Sequence, residues 1–302
     1  MIEPSPKLRG SIVPLVTPFA DGRIDVEAFE SSVERQAEAG SDGIVVTGTT
    51  GEPTSLSTDE RADLFERAVR VAAGRLHVVA ATGSANSAET LQLTAAAQRA
   101  DADAVLVVSP AFVMPSQKGL VEHFATVAAA TDLPFLIYNI PARAGVGVTA
   151  ETVKRVADRA PNLVGLKHAS PQLDILTELL MSLGEGFRLF CGLESYSYPF
   201  LALGGSGLMS AIGNIFPVRV AEMCRAVERG DHESALRLHR ELFAVNLAVF
   251  FDTNPGPLKL MLAAQGLGNG EVRPPLVAPD VGVRERVLSA LETVTESVTT
   301  RS

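Results

Sequence analysis

Hydrophobic residues in this chain fall in short unbroken runs that alternate with longer stretches of helical period. The runs are Ser11–Thr17 (SIVPLVT), Gly43–Thr47 (GIVVT), His77–Ala81 (HVVAA), Ala104–Ser109 (AVLVVS), Pro134–Tyr138 (PFLIY), Leu163–Lys167 (LVGLK), Arg188–Cys191 (RLFC) and Gly207–Ser210 (GLMS). A strand with one wet face would alternate polar and apolar residues, so most of these runs predict parallel strands covered on both sides. Between them, Asp25–Ala39, Thr58–Ala73, Ser87–Ala100, Lys118–Ala130, Thr149–Ala157 and Asp174–Leu183 are predicted helices. In the first, Val26, Phe29, Val33 and Ala37 form the apolar stripe. In the second, Thr58 is placed to cap, and Arg61 takes the third position instead of the Glu of a full capping box. Strand starts recur every ~19 to 34 residues, the spacing of βα units.

Eight βα units within about 225 residues predict a (β/α)8 TIM barrel over residues 1–225. A doubly wound sheet is the structural competitor, but its G-x-G-x-x-G fingerprint does not follow the first strand. After Pro217 the pattern is helical only, over Val218–Glu228, His232–Phe251, Pro255–Ala264 and Val283–Thr295. Residues 226–302 are therefore expected to form a C-terminal helical extension.

Composition narrows the partners. With 46% apolar and 20% charged residues the chain has ordinary globular material for a core. A formal charge of −9 counts against nucleic acid or an anionic membrane as partner, since both reward basic surfaces. The start, MIEPSPKLRG, lacks the features of a signal peptide. No run approaches the ~18 apolar residues of a membrane span; Phe243–Phe251 is interrupted by Asn246. Cys191 and Cys224 lie far apart and form no CxxC pair. No His, Asp and Glu cluster has metal-ligand spacing. The expectation is a soluble cytoplasmic protein without metal or cofactor, acting on small molecules.

Barrel enzymes place their chemistry at the C-terminal ends of the strands. Lys167 closes the apolar run LVGLK at the sixth such end. Burial disfavours an ammonium relative to the neutral amine, and the neutral amine attacks a ketone carbonyl to give an imine. A lysine there can also snorkel to the rim or pair with a carboxylate. Tyr138 ends the neighbouring strand, where its phenol would relay protons with the Thr49 hydroxyl, or simply pack at the rim. After strand two, Gly48-Thr49-Thr50-Gly51-Glu52 offers consecutive backbone N–H groups to a carboxylate; it is equally a tight turn, with Glu52 bracing it. Arg143, in the loop after strand five, is either a bidentate carboxylate clamp or a solvated loop arginine. His168, without a carboxylate motif beside it, reads as a rim residue.

The segments GTTGE, YNIPAR and GLKHAS, in this order and each at a predicted strand end, resemble the dihydrodipicolinate synthase/N-acetylneuraminate lyase family. GGSGLMS and TNPGPLK resemble it too, so the similarity covers nearly the whole chain. The resemblance implies a class I, pyruvate-dependent aldolase or synthase, with Lys167 as the Schiff-base lysine and Tyr138 as the proton shuttle. It implies Thr49 in the relay, Thr50 on the pyruvate carboxylate and Met209 lining the pyruvate pocket. Arg143 leans toward the synthase branch, in which that arginine holds the carboxylate of aspartate semialdehyde. One departure cuts the other way: synthases carry two tyrosines after strand four, the second reaching a neighbouring subunit's relay. This chain has Ser109-Pro110-Ala111-Phe112-Val113, and Phe112 cannot move a proton. Thr58 and Arg61 stand where lysine-inhibited members often have histidines, which speaks against feedback by lysine. Family members also imply a homo-oligomer, tetramer or dimer.

The reading is therefore a synthase condensing pyruvate with aspartate semialdehyde. The alternative is an aldolase cleaving another 2-oxo acid, of the 2-keto-3-deoxy sugar acid or hydroxy-oxo acid type. A phosphate-handling barrel is disfavoured, because Cys191-Gly192-Leu193-Glu194 and Ala211-Ile212-Gly213-Asn214 carry no basic residue. A catalytically silent binding protein on the same fold is disfavoured by having both the lysine and the tyrosine.

Overall fold

The computed structural model describes residues 8–299. Eight parallel strands close into a barrel: β1 (Gly10–Pro14), β2 (Gly43–Val46), β3 (His77–Ala81), β4 (Ala104–Val108), β5 (Phe135–Asn139), β6 (Leu163–His168), β7 (Arg188–Cys191) and β8 (Gly207–Leu208). They follow one another around the barrel in sequence order, and β8 pairs with β1.

The unbroken apolar runs now have a cause. Ile12, Val45, Val79, Leu106, Leu136, Val164 and Phe190 fill the barrel interior. Their strand neighbours Val13, Ile44, Val46, Val78, Val105, Ile137 and Leu189 pack outward under the helices. Both faces are dry, so apolar residues run unbroken along the strands and polar ones gather at their ends. A two-stranded hairpin, Phe19–Ala20 against Arg23–Ile24, was not foreseen.

Several helices begin where a capping side chain stands. Asp25 accepts from Ala28 N, Asn86 from Ala88 N, Ser116 from Gly119 N and Thr149 from Thr152 N. The helix Thr58–Ala72 corrects the expectation by one residue. Ser57, not Thr58, is the cap: its Oγ accepts from Glu60 N at 3.1 Å and Glu60 Oε2 accepts from Ser57 N at 2.8 Å. The capping box is complete, and Arg61 falls one position beyond it, on the buried face.

Beyond the barrel lie Pro217–Glu228, His232–Glu241, Phe243–Ala248, Gly256–Ala264 and Val281–Thr299. The predicted helix His232–Phe251 is two helices, His232–Glu241 and Phe243–Ala248, separated at Leu242, where ψ is −4°. The connection from Gln265 to Asp280 brings Glu271 and Arg273 back to the hairpin and to the loop after β2. Among the described residues no helix is long and apolar enough to cross a membrane.

Candidate active site

At the C-terminal mouth of the barrel, strand register sets one row of residues. Val108 on β4 is the partner of Tyr138 on β5, Tyr138 of Lys167 on β6, and Lys167 of Phe190 on β7. Parity sends Tyr138 and Phe190 inward, with Met209 from just beyond β8 in the same interior cluster. Lys167 joins them: its Nζ stands 4.3 Å from the centroid of the Tyr138 ring, on the ring face. Lysine, tyrosine and methionine are all buried. Lys167 therefore does not snorkel to the rim, and among the described residues no ion pair includes it.

Gly192 makes this arrangement sterically possible. A Cβ there would lie 2.7 Å from Lys167 Cε and 3.1 Å from the Ala169 Cβ, closer than carbon atoms approach without displacement. Two residues on, Glu194 is fully buried. Its Oε1 accepts from Ala211 N at 2.7 Å, while Oε2 has no hydrogen-bond partner among the described residues. Burial pushes this carboxyl above the usual carboxylate range, against the opposing pull of the Lys167 charge. Cys191 donates its thiol to Leu193 O at 3.3 Å, and burial pushes it up to about 12, so it is no nucleophile near neutral pH.

The GTTGE segment forms a 3-10 turn over Thr49–Gly51, with Gly51 N donating to Gly48 O at 2.8 Å and Glu52 N to Thr49 O at 3.3 Å. Thr49 lines a cleft of about 610 Å3 with Arg143, Ile140, Val108 and Asn254. Thr50, next along the turn, is buried, its Oγ1 accepting from Asn254 Nδ2 at 3.2 Å. Glu52 does brace the loop. Its carboxylate pairs with buried Lys259, and Oε2 accepts from Arg273 N at 3.0 Å. Lys259 Nζ also donates to Glu271 O at 2.7 Å and stands over the Phe19 ring. Arg273 adds a two-armed bond to Glu60, which it holds below the usual carboxylate range.

Arg143 is exposed at the cleft mouth, in the short helix Pro141–Ala144, with Nη2 3.4 Å from Asn254 O. His168 is a buried brace and not a rim residue. Its Nε2 donates to Gln172 O at 2.9 Å, Asn139 Nδ2 donates to its Nδ1 at 3.0 Å, and burial lowers its affinity for a proton. Arg61 is buried beside the cleft, donating to Ala81 O at 2.7 Å; desolvation brings it down to about 10. Phe112, Val113 and Met114, after β4, are exposed at 94%, 71% and 60%, with Phe112 at a φ of +73° over the same cleft.

The mouth thus joins an amine and a phenol inside the barrel to hydroxyls and a guanidinium at the opening. Lys167, Tyr138, Thr49, Thr50, Arg143 and Met209 were expected at this end of the barrel, and the structure places all six there. Asn254, Glu194 and Gly192 were not singled out. Of these only Asn254 carried a visible signal, through TNPGPLK.

Residues 7–294 match the sequence profile of the Dihydrodipicolinate synthetase family. A 4-hydroxy-tetrahydrodipicolinate synthase of Thermus thermophilus is 45% identical over 280 residues, 92% of this chain and 94% of that protein. Among solved structures, the 4-hydroxy-tetrahydrodipicolinate synthase of Methylacidiphilum fumariolicum SolV superposes with a TM-score of 0.95 at 36% identity, over 97% of this chain and 98% of that one. The dihydrodipicolinate synthase of Aquifex aeolicus gives 0.93 at 38% identity, over 95% and 98%.

Proposed function

Because this chain belongs to the dihydrodipicolinate synthetase family, we propose that it condenses pyruvate with aspartate semialdehyde through a Schiff base on Lys167. The observation that carries the reading is the register pair Tyr138 and Lys167, with the amine on the face of the phenol at the barrel mouth. The Lys167 amine adds to the pyruvate ketone, and loss of water leaves an imine. Removal of a methyl proton gives the enamine, whose carbon attacks the aldehyde; water then releases the product and frees the lysine. Tyr138 and Thr49 shuttle the protons of these steps.

Thr50 receives the pyruvate carboxylate, Met209 walls the pyruvate pocket, and Arg143 at the opening holds the carboxylate of the second substrate. No step calls for a metal or cofactor. Residues 226–302 act as an extension of the barrel of residues 1–225, supplying Asn254 to the cleft and Lys259 and Arg273 to the loop after β2. The chain works as a homo-oligomer: three consecutive exposed apolar residues beside the cleft, Phe112 to Met114, suit burial against a second copy. Borohydride reduction in the presence of pyruvate should leave one pyruvyl adduct, mapped by peptide mass to Lys167. An adduct on another lysine, or none, refutes the mechanism.

A further inference from the structure

Asn254 of the TNPGPLK segment takes no chemical part in the scheme above, yet it touches both halves of the site. Its amide Nδ2 donates to Thr50 Oγ1 at 3.2 Å, and its main-chain O faces Arg143 Nη2 at 3.4 Å. The residue is 7% exposed, and its Oδ1 has no hydrogen-bond partner among the described residues. A buried amide oxygen without a donor is costly. The opposite rotamer would relieve it by letting Oδ1 accept the Thr50 proton. In the arrangement present, Thr50 accepts from the amide and keeps its own O–H, which donates to nothing else among the described residues.

We propose that Asn254 is a positioning residue for the 2-oxo acid, holding the Thr50 hydroxyl as a donor toward the substrate carboxylate. The proposal rests on the reading of Thr50 and Lys167 given above. The Nδ2 end that faces Thr50 can only donate, so in this arrangement it leaves the Thr50 proton free. A threonine left unpaired would turn its O–H to the most available acceptor, and an acceptor beside it would claim the proton that the carboxylate needs. The side chain serves the donor substrate alone. Arg143 is met by the main-chain carbonyl, which every substitution at position 254 retains.

The test is steady-state kinetics on the full-length chain with pyruvate and aspartate semialdehyde. Asn254→Ala should raise KM for pyruvate roughly tenfold, with kcat and KM for the aldehyde changed by less than about threefold. Asn254→Asp keeps the volume but can only accept, so it should be the worse of the two for pyruvate, by roughly a further tenfold. In a cycle with Thr50→Val, adding Asn254→Ala should cost less than about twofold more, because its partner is already gone. Equal rises in both KM values, an Asp variant better than Ala, or additive losses with Thr50→Val would overturn the proposal. A wild-type chain that forms no borohydride-trapped pyruvate adduct would instead overturn the functional reading, and this proposal with it.

Discussion

Lys259→Met removes the ammonium from the Glu52 carboxylate and leaves the loop after β2 with a buried, unpaired negative charge. The two side chains are 4% and 1% exposed, so water cannot take over the lost partner. Breaking such a pair from one side costs about 3–5 kcal/mol. Glu52 keeps the Arg273 N–H at 3.0 Å, which places the loss in the lower part of that range. At ~2.1 cal/mol/K per residue over 302 residues, the unfolding entropy is about 0.63 kcal/mol/K. At about 3–4 kcal/mol the expected fall in melting temperature is therefore about 5–6 °C, measured at fixed protein concentration. Glu52→Gln in the same chain removes the stranded charge and should recover at least half of that fall. The pH dependence has a definite sign. Burial lowers Lys259 from its ordinary value of 10.5, so in the window between the folded value and 10.5 the unfolded chain binds more protons. Wild-type stability relative to the Met variant should rise with pH across that window. A drop under about 2 °C, or a double variant no better than Lys259→Met, would refute the view that this pair organises the loop.

Two further predictions concern the neighbourhood of Lys167. Glu194 sits above its ordinary 4.5, so the folded state binds the extra proton, and its contribution is full below 4.5 and lost as pH rises. Glu194→Gln does not titrate; in urea midpoints it should match wild type near pH 4 and gain on it toward pH 8, whereas a constant difference would show that the carboxyl ionises freely. Gly192→Ala drives a methyl to 2.7 Å from Lys167 Cε, and displacing the amine by about 1 Å should lower kcat ~100-fold. Borohydride trapping at an unchanged rate in that variant would show that the lysine has another route to the ketone.

The barrel was legible because both faces of its strands are dry, so the runs stood out without any periodicity to decode. The hairpin at Phe19 to Ile24 was not, since strands of two residues carry no pattern. Its turn is held from far away: Glu271 accepts from Asp21 N and Gly22 N, and Arg273 donates to Gly22 O. The cap at residue 57 was misplaced because Ser57 and Thr58 can both cap, and only Glu60 reaching back distinguishes them. Lys167 and Tyr138 could be paired from strand position alone, because neighbouring parallel strands ending at one level share a row. Asn254 could not: its partner Thr50 is 204 residues away, and no local rule sets that distance. His168 was misjudged as a rim residue because strand parity turns it outward beneath a loop, where Gln172 and Asn139 enclose it.

The clamp on Glu52 also sets an order of events during synthesis. Arg273 follows Glu52 by 221 residues, a delay of roughly 10 to 45 s at ~5–20 residues per second. All eight strands leave the ribosome before either Lys259 or Arg273 exists, so the barrel can close while the loop after β2 still lacks its counter-charge. The mouth is then finished after the barrel wall, with only the helix Val281–Thr299 still to follow. A chain cut between residues 208 and 259 should keep the strand runs of a barrel and lack the clamp that shapes its opening.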